Sequence, residues 1–172
     1  DRKAREVAID ALNAALDAVD PGVIIKSRVK LRGNSLRIGD LSFNLDEYGK
    51  VVVVGGGKAS GCMAEALAEI LGDRIKEGVV NVPYSCPSYD TGRVRLQRAS
   101  HPIPDAEGVE GAKLMLELAS KAGENGLVIS LISGGGSSLM PQPSKGVSLS
   151  DKREVTDALL KSGATIMEIN TV

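Results

Sequence analysis

The chain opens with apolar residues at Ala4, Val7, Ala8, Ala11, Leu12, Ala15 and Val19. Steps of three and four match the turn of an amphipathic helix, so the spacing predicts a helix over Arg2 to Val19. Pro21-Gly22 is expected to end it. The period then shortens to two. Val29, Leu31, Leu36 and Ile38 bracket Gly33-Asn34, which reads as a hairpin, and Leu41, Phe43 and Leu45 continue the alternation. At Val51-Val52-Val53-Val54 the pattern becomes a continuous β-branched run, as in a strand covered on both faces. That run enters Gly55-Gly56-Gly57-Lys58. Met63, Ala64, Leu67, Ala68, Ile70 and Leu71 then predict a helix, with Gly72 as its stop. Gly78 to Val82 reads as a second strand closed by Pro83, and Val94, Leu96 and Ala99 as a third.

Ser100 to Asp105 holds two prolines two apart, which excludes helix and central strand. Asp105 is placed to cap a helix running to about Ala122. Leu127 to Ile132 reads as a fourth strand, and it feeds Ser133-Gly134-Gly135-Gly136-Ser137-Ser138. A Pro-containing stretch follows, then a helix near Ser150 to Ser162, with Ser148 and Asp151 at capping-box spacing. Strands alternating with helices predict an α/β fold, a Rossmann-like parallel sheet with covering helices. Ligands of such sheets sit at the carboxyl ends of strands, and both Gly-rich loops fall there.

Composition narrows the function. With 172 residues, the chain is about one domain long and can bury one real core. A net charge of -1 argues against a nucleic-acid or anionic-membrane binder. An aromatic content of 2% makes base-stacking platforms improbable. Cys62 and Cys86 form no C-x-x-C pair, and with His101 they fall short of a four-ligand zinc set, so no metal ligands are assigned. No apolar run reaches a membrane span and no secretory core follows the N-terminus, so the expected location is the cytoplasm. The chain lacks an initiating Met and ends abruptly at Ile169-Asn170-Thr171-Val172, and is therefore expected to be a processed or incomplete piece.

The chemistry lies in the loops. Gly55, Gly56 and Gly57 allow close backbone approach by a ligand, and the helix start beyond them favours an anion. Lys58 is a cation where the helix end disfavours one, unless an anion comes to share the site. Alone, such a loop is also an ordinary tight turn. It is not a Walker A loop, because Ala59 follows Gly57-Lys58 and Val52 holds the first glycine position. It also departs from the dinucleotide fingerprint, with Ser60 at the third glycine and no carboxylate after the next strand. In the second loop, Ser133 to Ser138, repeated glycines and hydroxyls suit phosphate oxygens. A nucleophile elbow is absent, and a hydrolase built on Ser137 and His101 has no support from spacing. His101 lies on the presumed ligand edge. Arg93, Arg95 and Arg98 are read as sharing one face of an edge strand.

Three stretches together carry a resemblance: VVVVGGGKAS at 51–60, ASHPIPD at 99–105 and SLISGGGSSL at 130–139. They resemble the glycerate 2-kinase family, whose members carry a C-terminal MOFRL domain. The resemblance implies transfer of phosphate from ATP to the 2-hydroxyl of D-glycerate, with a divalent cation such as Mg²⁺. It implies a cleft between two domains, of which residues 1–172 would be the N-terminal one and the MOFRL-type domain would be missing. Lys58 matches the family lysine proposed for phosphoryl transfer, and Ser133 to Ser138 match its Gly-rich ligand loop. Gly55, Gly56, Gly57, Ser60, His101, Ser133, Gly134, Gly135, Gly136, Ser137 and Ser138 are the binding candidates. A family arginine opposite the lysine would lie outside the chain, so the piece alone is expected to be inactive. The other readings are an NAD(P)-dependent hydroxypyruvate reductase and a non-catalytic module binding phosphorylated metabolites. A homodimer is left open.

Overall fold

The structure, a computed structural model, describes residues 2–169 and 171; Asp1 lies outside the described residues, as do Asn170 and Val172 of the expected abrupt end. Helix α1 (Arg2–Ala18) is followed by α2 (Pro21–Arg28). Helix α1 stops before Pro21-Gly22, as expected, and Pro21 also opens α2. Proline suits a first helical turn, whose N–H would be unpaired anyway. The Asp20 side chain caps that turn by accepting from the Val23 N–H at 2.8 Å. The apolar stripe of α1 lies in solvent, and none of its residues is buried.

Strands β1 (Val29–Arg32), β2 (Ser35–Ile38) and β3 (Leu41–Asn44) form an antiparallel meander. The central layer is a separate four-stranded parallel sheet of β4 (Lys50–Gly56), β5 (Ile75–Pro83), β6 (Val94–Ala99) and β7 (Gly126–Ile132). Their spatial order is β6-β5-β4-β7. The chain builds outward from β4 to β6, then returns through α4 (Ala106–Ala122) to place β7 on the other side of β4. The strand order therefore reverses between β4 and β7.

Alternation along β4 divides the core. Val51 and Val53 pack with α3 (Ser60–Leu71), through Ala64, Leu67 and Leu71, and with Val29, Leu36 and Leu45 of the meander region. Val52 and Val54 face the other way, toward Met115 and Ala122 of α4. This is why the valine run is unbroken: successive side chains enter two different cores. The run of strand extends through Gly55 and Gly56, which pair with Leu131 and Ile132 of β7. The turn is therefore shorter than the glycine run that marks it in the sequence.

The capping expectations hold. Asp105 accepts from the Gly108 N–H at 2.9 Å, and Ser148 and Asp151 form a reciprocal capping box at the start of α6 (Leu149–Ser162). A further turn, α5 (Gly136–Leu139), sits inside the second Gly-rich segment, and α7 (Ile166–Ile169) closes the described chain. The arginines do not share one face. Arg93 precedes β6, and Arg98 is three residues from Arg95, which reverses its side in a two-residue repeat. Arg98 turns inward to donate to the Tyr84 carbonyl at 2.8 Å and the Cys86 carbonyl at 2.6 Å.

Leu67 is 1% exposed at the centre of the α3 face. Leu67→Ala is expected to lower unfolding stability by about 2–5 kcal/mol, read from the urea midpoint.

Candidate active site

The carboxyl ends of β4 and β7 are brought together at the strand-order reversal, where open α/β sheets form their ligand crevice. Two loops meet there and lock. The Gly57 N–H donates to the Asn81 carbonyl at 3.1 Å, the Lys58 N–H to the Gly134 carbonyl at 2.9 Å, and the Ser133 N–H to the Gly56 carbonyl at 3.3 Å. The Ser133 hydroxyl accepts from the Ala59 N–H at 3.1 Å. Ser60 is fully buried and donates to the Leu131 carbonyl at 3.1 Å. Its single proton being used there, the 3.1 Å contact between the two hydroxyls is donated by Ser133. The hydroxyls of Ser60 and Ser133 are thus spent on holding the loops together.

Gly57 has φ of +146°, and a Cβ there would lie 2.1 Å from the Ser133 hydroxyl oxygen. Only glycine permits both that backbone and that approach. Gly135, with φ of +89°, is the point where the three motif segments converge. A Cβ on it would lie 2.9 Å from both Cδ2 and Nε2 of His101 and 3.4 Å from Cγ of Lys58. The half-buried imidazole and the exposed lysine therefore flank one glycine. Gly134 is exposed, and Gly55 and Gly56 are buried strand positions. Gly136 opens α5. Ser137 and Ser138 lie on the wall of a cavity of about 470 Å³ shared with Pro104, Gln142, Val155 and Leu159. All the candidates thus fall on the crevice edge of the sheet, but they divide into locking groups and groups turned outward.

The segment bearing His101 is anchored by Asp105, beyond its role as a cap. One carboxylate oxygen accepts from the Ser100 N–H at 2.9 Å and from the Tyr84 hydroxyl at 2.9 Å. Burial acts to raise this carboxyl, but the Gly108 and Ser100 amides and the Tyr84 hydroxyl outweigh it and hold it below 3.8. The same contact pushes the Tyr84 phenol up to about 12. Sequence reasoning found the cap but not these added donors, because Tyr84 and Ser100 reach Asp105 only through the parallel β5–β6 pairing. It also missed Asn81, whose carbonyl holds Gly57. Its signal was a polar residue inside the apolar run Val79-Val80-Asn81-Val82. Among the described residues, no group of three or more His, Cys, Asp or Glu side chains could hold a metal ion.

Fold and site define a class: an open parallel α/β domain with its ligand crevice at a strand-order reversal. The chain belongs to the family described as a domain of unknown function, DUF4147, which it matches over residues 7–172. A curated glycerate 2-kinase of Pyrococcus horikoshii is 39% identical over 168 residues, covering 98% of this chain and 37% of that protein. A protein of Agrobacterium vitis carrying a hydroxypyruvate reductase name is 48% identical over 124 residues, covering 72% of this chain and 32% of that protein. Among solved structures, a Pyrococcus horikoshii OT3 protein superposes with a TM-score of 0.84 at 39% identity, covering 97% of this chain and 37% of that one. A Thermotoga maritima glycerate kinase superposes with a TM-score of 0.75 at 35% identity, covering 100% and 38%. The three-motif resemblance to glycerate 2-kinases is thereby borne out. The chain spans 37% of the length of the Pyrococcus relative.

Two outcomes follow from this geometry. The Asp105 carboxyl is lowered on folding, so its contribution to stability is present above about pH 3.8 and is lost as pH falls through its folded value. Asp105→Asn is expected to flatten the acid limb of a stability–pH curve followed by circular dichroism. Gly57→Ala is expected to separate Ser133 from Ala59 and Ser60, seen as faster amide exchange at Ala59, while β4 keeps its protection.

Proposed function

We propose that this chain supplies one wall of a phosphoryl-transfer site acting on D-glycerate, with ATP as donor and 2-phosphoglycerate as product. The observation that carries the reading is the convergence of Lys58 and His101 on Gly135 at the mouth of the strand-order reversal. The glycerate-kinase names of relatives aligned along nearly the whole chain support the same chemistry. In this reading the chain is the N-terminal domain of a longer two-domain enzyme, and the second domain closes the cleft.

In phosphoryl transfer the protein chiefly positions reactants and neutralises charge. Lys58 is exposed on a loop whose own N–H groups are turned inward, so its ammonium is the group that loop offers to an anion. It would stabilise the moving phosphoryl group or the attacking 2-hydroxyl. Gly135 and Gly136, with Ser137 and Ser138, would border the oxygens of phosphate or carboxylate, and His101 would close the side of the site beyond Gly135. Gly55, Gly56, Ser60 and Ser133 would act by holding the two loops at a fixed separation. Among the described residues, the donor set does not amount to a cage for Mg²⁺.

A nicotinamide-dependent reduction of hydroxypyruvate is favoured by one relative's name and opposed by the site. Ser60 fills the third glycine position, and Asn81 at the end of β5 is buried, with its amide bound inside the protein. No carboxylate stands there for a ribose.

The test is ADP formation by the full-length protein carrying this sequence, with ATP and D-glycerate, against a blank without glycerate. Lys58→Ala is expected to cut kcat/KM by at least about 100-fold, the scale for loss of one charge-stabilising donor. Turnover of hydroxypyruvate with NADPH, and none of glycerate with ATP, would replace this reading with the reductase.

A further inference from the structure

Asn81 is completely buried at the carboxyl end of β5. Its side-chain NH₂ donates to the Gly108 carbonyl at 3.0 Å and to the Leu139 carbonyl at 2.6 Å. Two carbonyl acceptors on one side fix the orientation of the amide. Its main-chain carbonyl accepts from the Gly57 N–H at 3.1 Å. One residue thus touches two of the motif segments directly and reaches the third through Gly108. Gly57 belongs to the lysine loop. Gly108 is bonded to Asp105, which holds Ser100 beside His101. Leu139 ends the turn that begins at Gly136, next to Gly135.

The arrangement is costly as a purely structural device. The Asn81 Oδ1 atom is buried without a hydrogen-bond partner. Such an orphan acceptor works against folding. The amide also bars any side chain from position 111, where a Cβ would lie 1.9 Å from Oδ1. An apolar residue would satisfy the surrounding β5 pattern of Val79, Val80 and Val82 without that cost.

We propose that Asn81 is a positioning residue that sets Lys58, His101 and Gly135 in register with one another. The catalytic half of the proposal rests on the phosphoryl-transfer reading above; the positioning half does not. Asn81→Leu removes both donors and keeps the branching of the side chain, at a larger volume. Asn81→Asp keeps the shape but, when ionised, presents only acceptors to two carbonyls. Two measurements separate the halves. The first is amide hydrogen exchange in this chain at Gly57–Ser60 and Gly134–Leu139, with Val52 and Val53 as internal reference. The second is kcat and KM for D-glycerate in the full-length protein, at a temperature where variant and parent are equally folded.

The expected result is faster exchange in both loops with β4 unchanged. A kcat loss of about 100-fold, the scale for an ångström of misplacement, should accompany a KM that stays within a few-fold. For Asn81→Asp, part of the lost rate returns as pH is lowered, because the neutral carboxyl regains one O–H donor. Unchanged exchange in a folded variant overturns the proposal. So does activity that falls only with the folded fraction. Global unfolding of both variants would make Asn81 a determinant of the fold and overturn it as well. If the parent transfers no phosphate, the kinase reading fails, and the exchange measurement still decides whether Asn81 positions the loops.

Discussion

Everything at the crevice depends on how closely β4 and β7 approach at their carboxyl ends. Gly57 lies against Ser133, and no side chain fits between them. That contact lets the Ser133 hydroxyl reach the Ala59 N–H and lets the Lys58 N–H reach the Gly134 carbonyl. A looser approach would leave these donors and acceptors without their partners in the facing loop. The glycine run and the paired hydroxyls are therefore one feature: glycines remove the bulk, and serines fill the remaining hydrogen-bonding capacity.

The two cores make that approach rigid. Alternate valines of β4 enter different clusters, one under α3 and one under α4. A shift of one residue in β4 would exchange these sets and displace the Gly55-Gly57 segment together with them. The loops themselves carry little apolar area, so their precision is borrowed from a strand clamped on both faces. Lys58 can then be exposed and still be well placed, since the main chain on either side of it is hydrogen-bonded.

The exposed apolar surface has a different distribution. Val7, Leu12 and Leu16 on α1 are more than half exposed, at 60%, 59% and 58%. On β7, Val128 and Ile132 lie open at 37% and 57%, on the same side of the sheet as Val52 and Val54. The inner half of the domain is packed as a finished core, whereas the α1 stripe and the β7 edge are apolar faces in solvent. Ile132 directly precedes Ser133 and pairs with Gly56, so the open β7 face runs up to the Gly57–Ser133 lock.

Much of the fold was legible in the sequence because it rests on local rules. Uninterrupted valines, a Gly-rich turn, an Asp cap and a capping box each declare themselves within a few residues. Pro21 marked the end of α1 but left α2 unread, because proline both ends helices and begins them, and only the Asp20 cap shows that a new helix starts there. The arginines of β6 misled because three positions were assigned to one face of a two-residue repeat. The residue types at the crevice were also legible, since glycine and serine runs after strands mark close backbone approach. Their division of labour was not. Whether a hydroxyl locks a loop or faces a ligand depends on partners about seventy residues away, as with Ser60 and Leu131. Asn81 shows the same limit: its three partners come from three segments that only the parallel β6-β5-β4-β7 order brings together. Local chemistry determined the elements and the kinds of groups at their ends. Tertiary structure decided which groups meet, because the long-range pairing of parallel strands sets those distances and no short-range pattern encodes it.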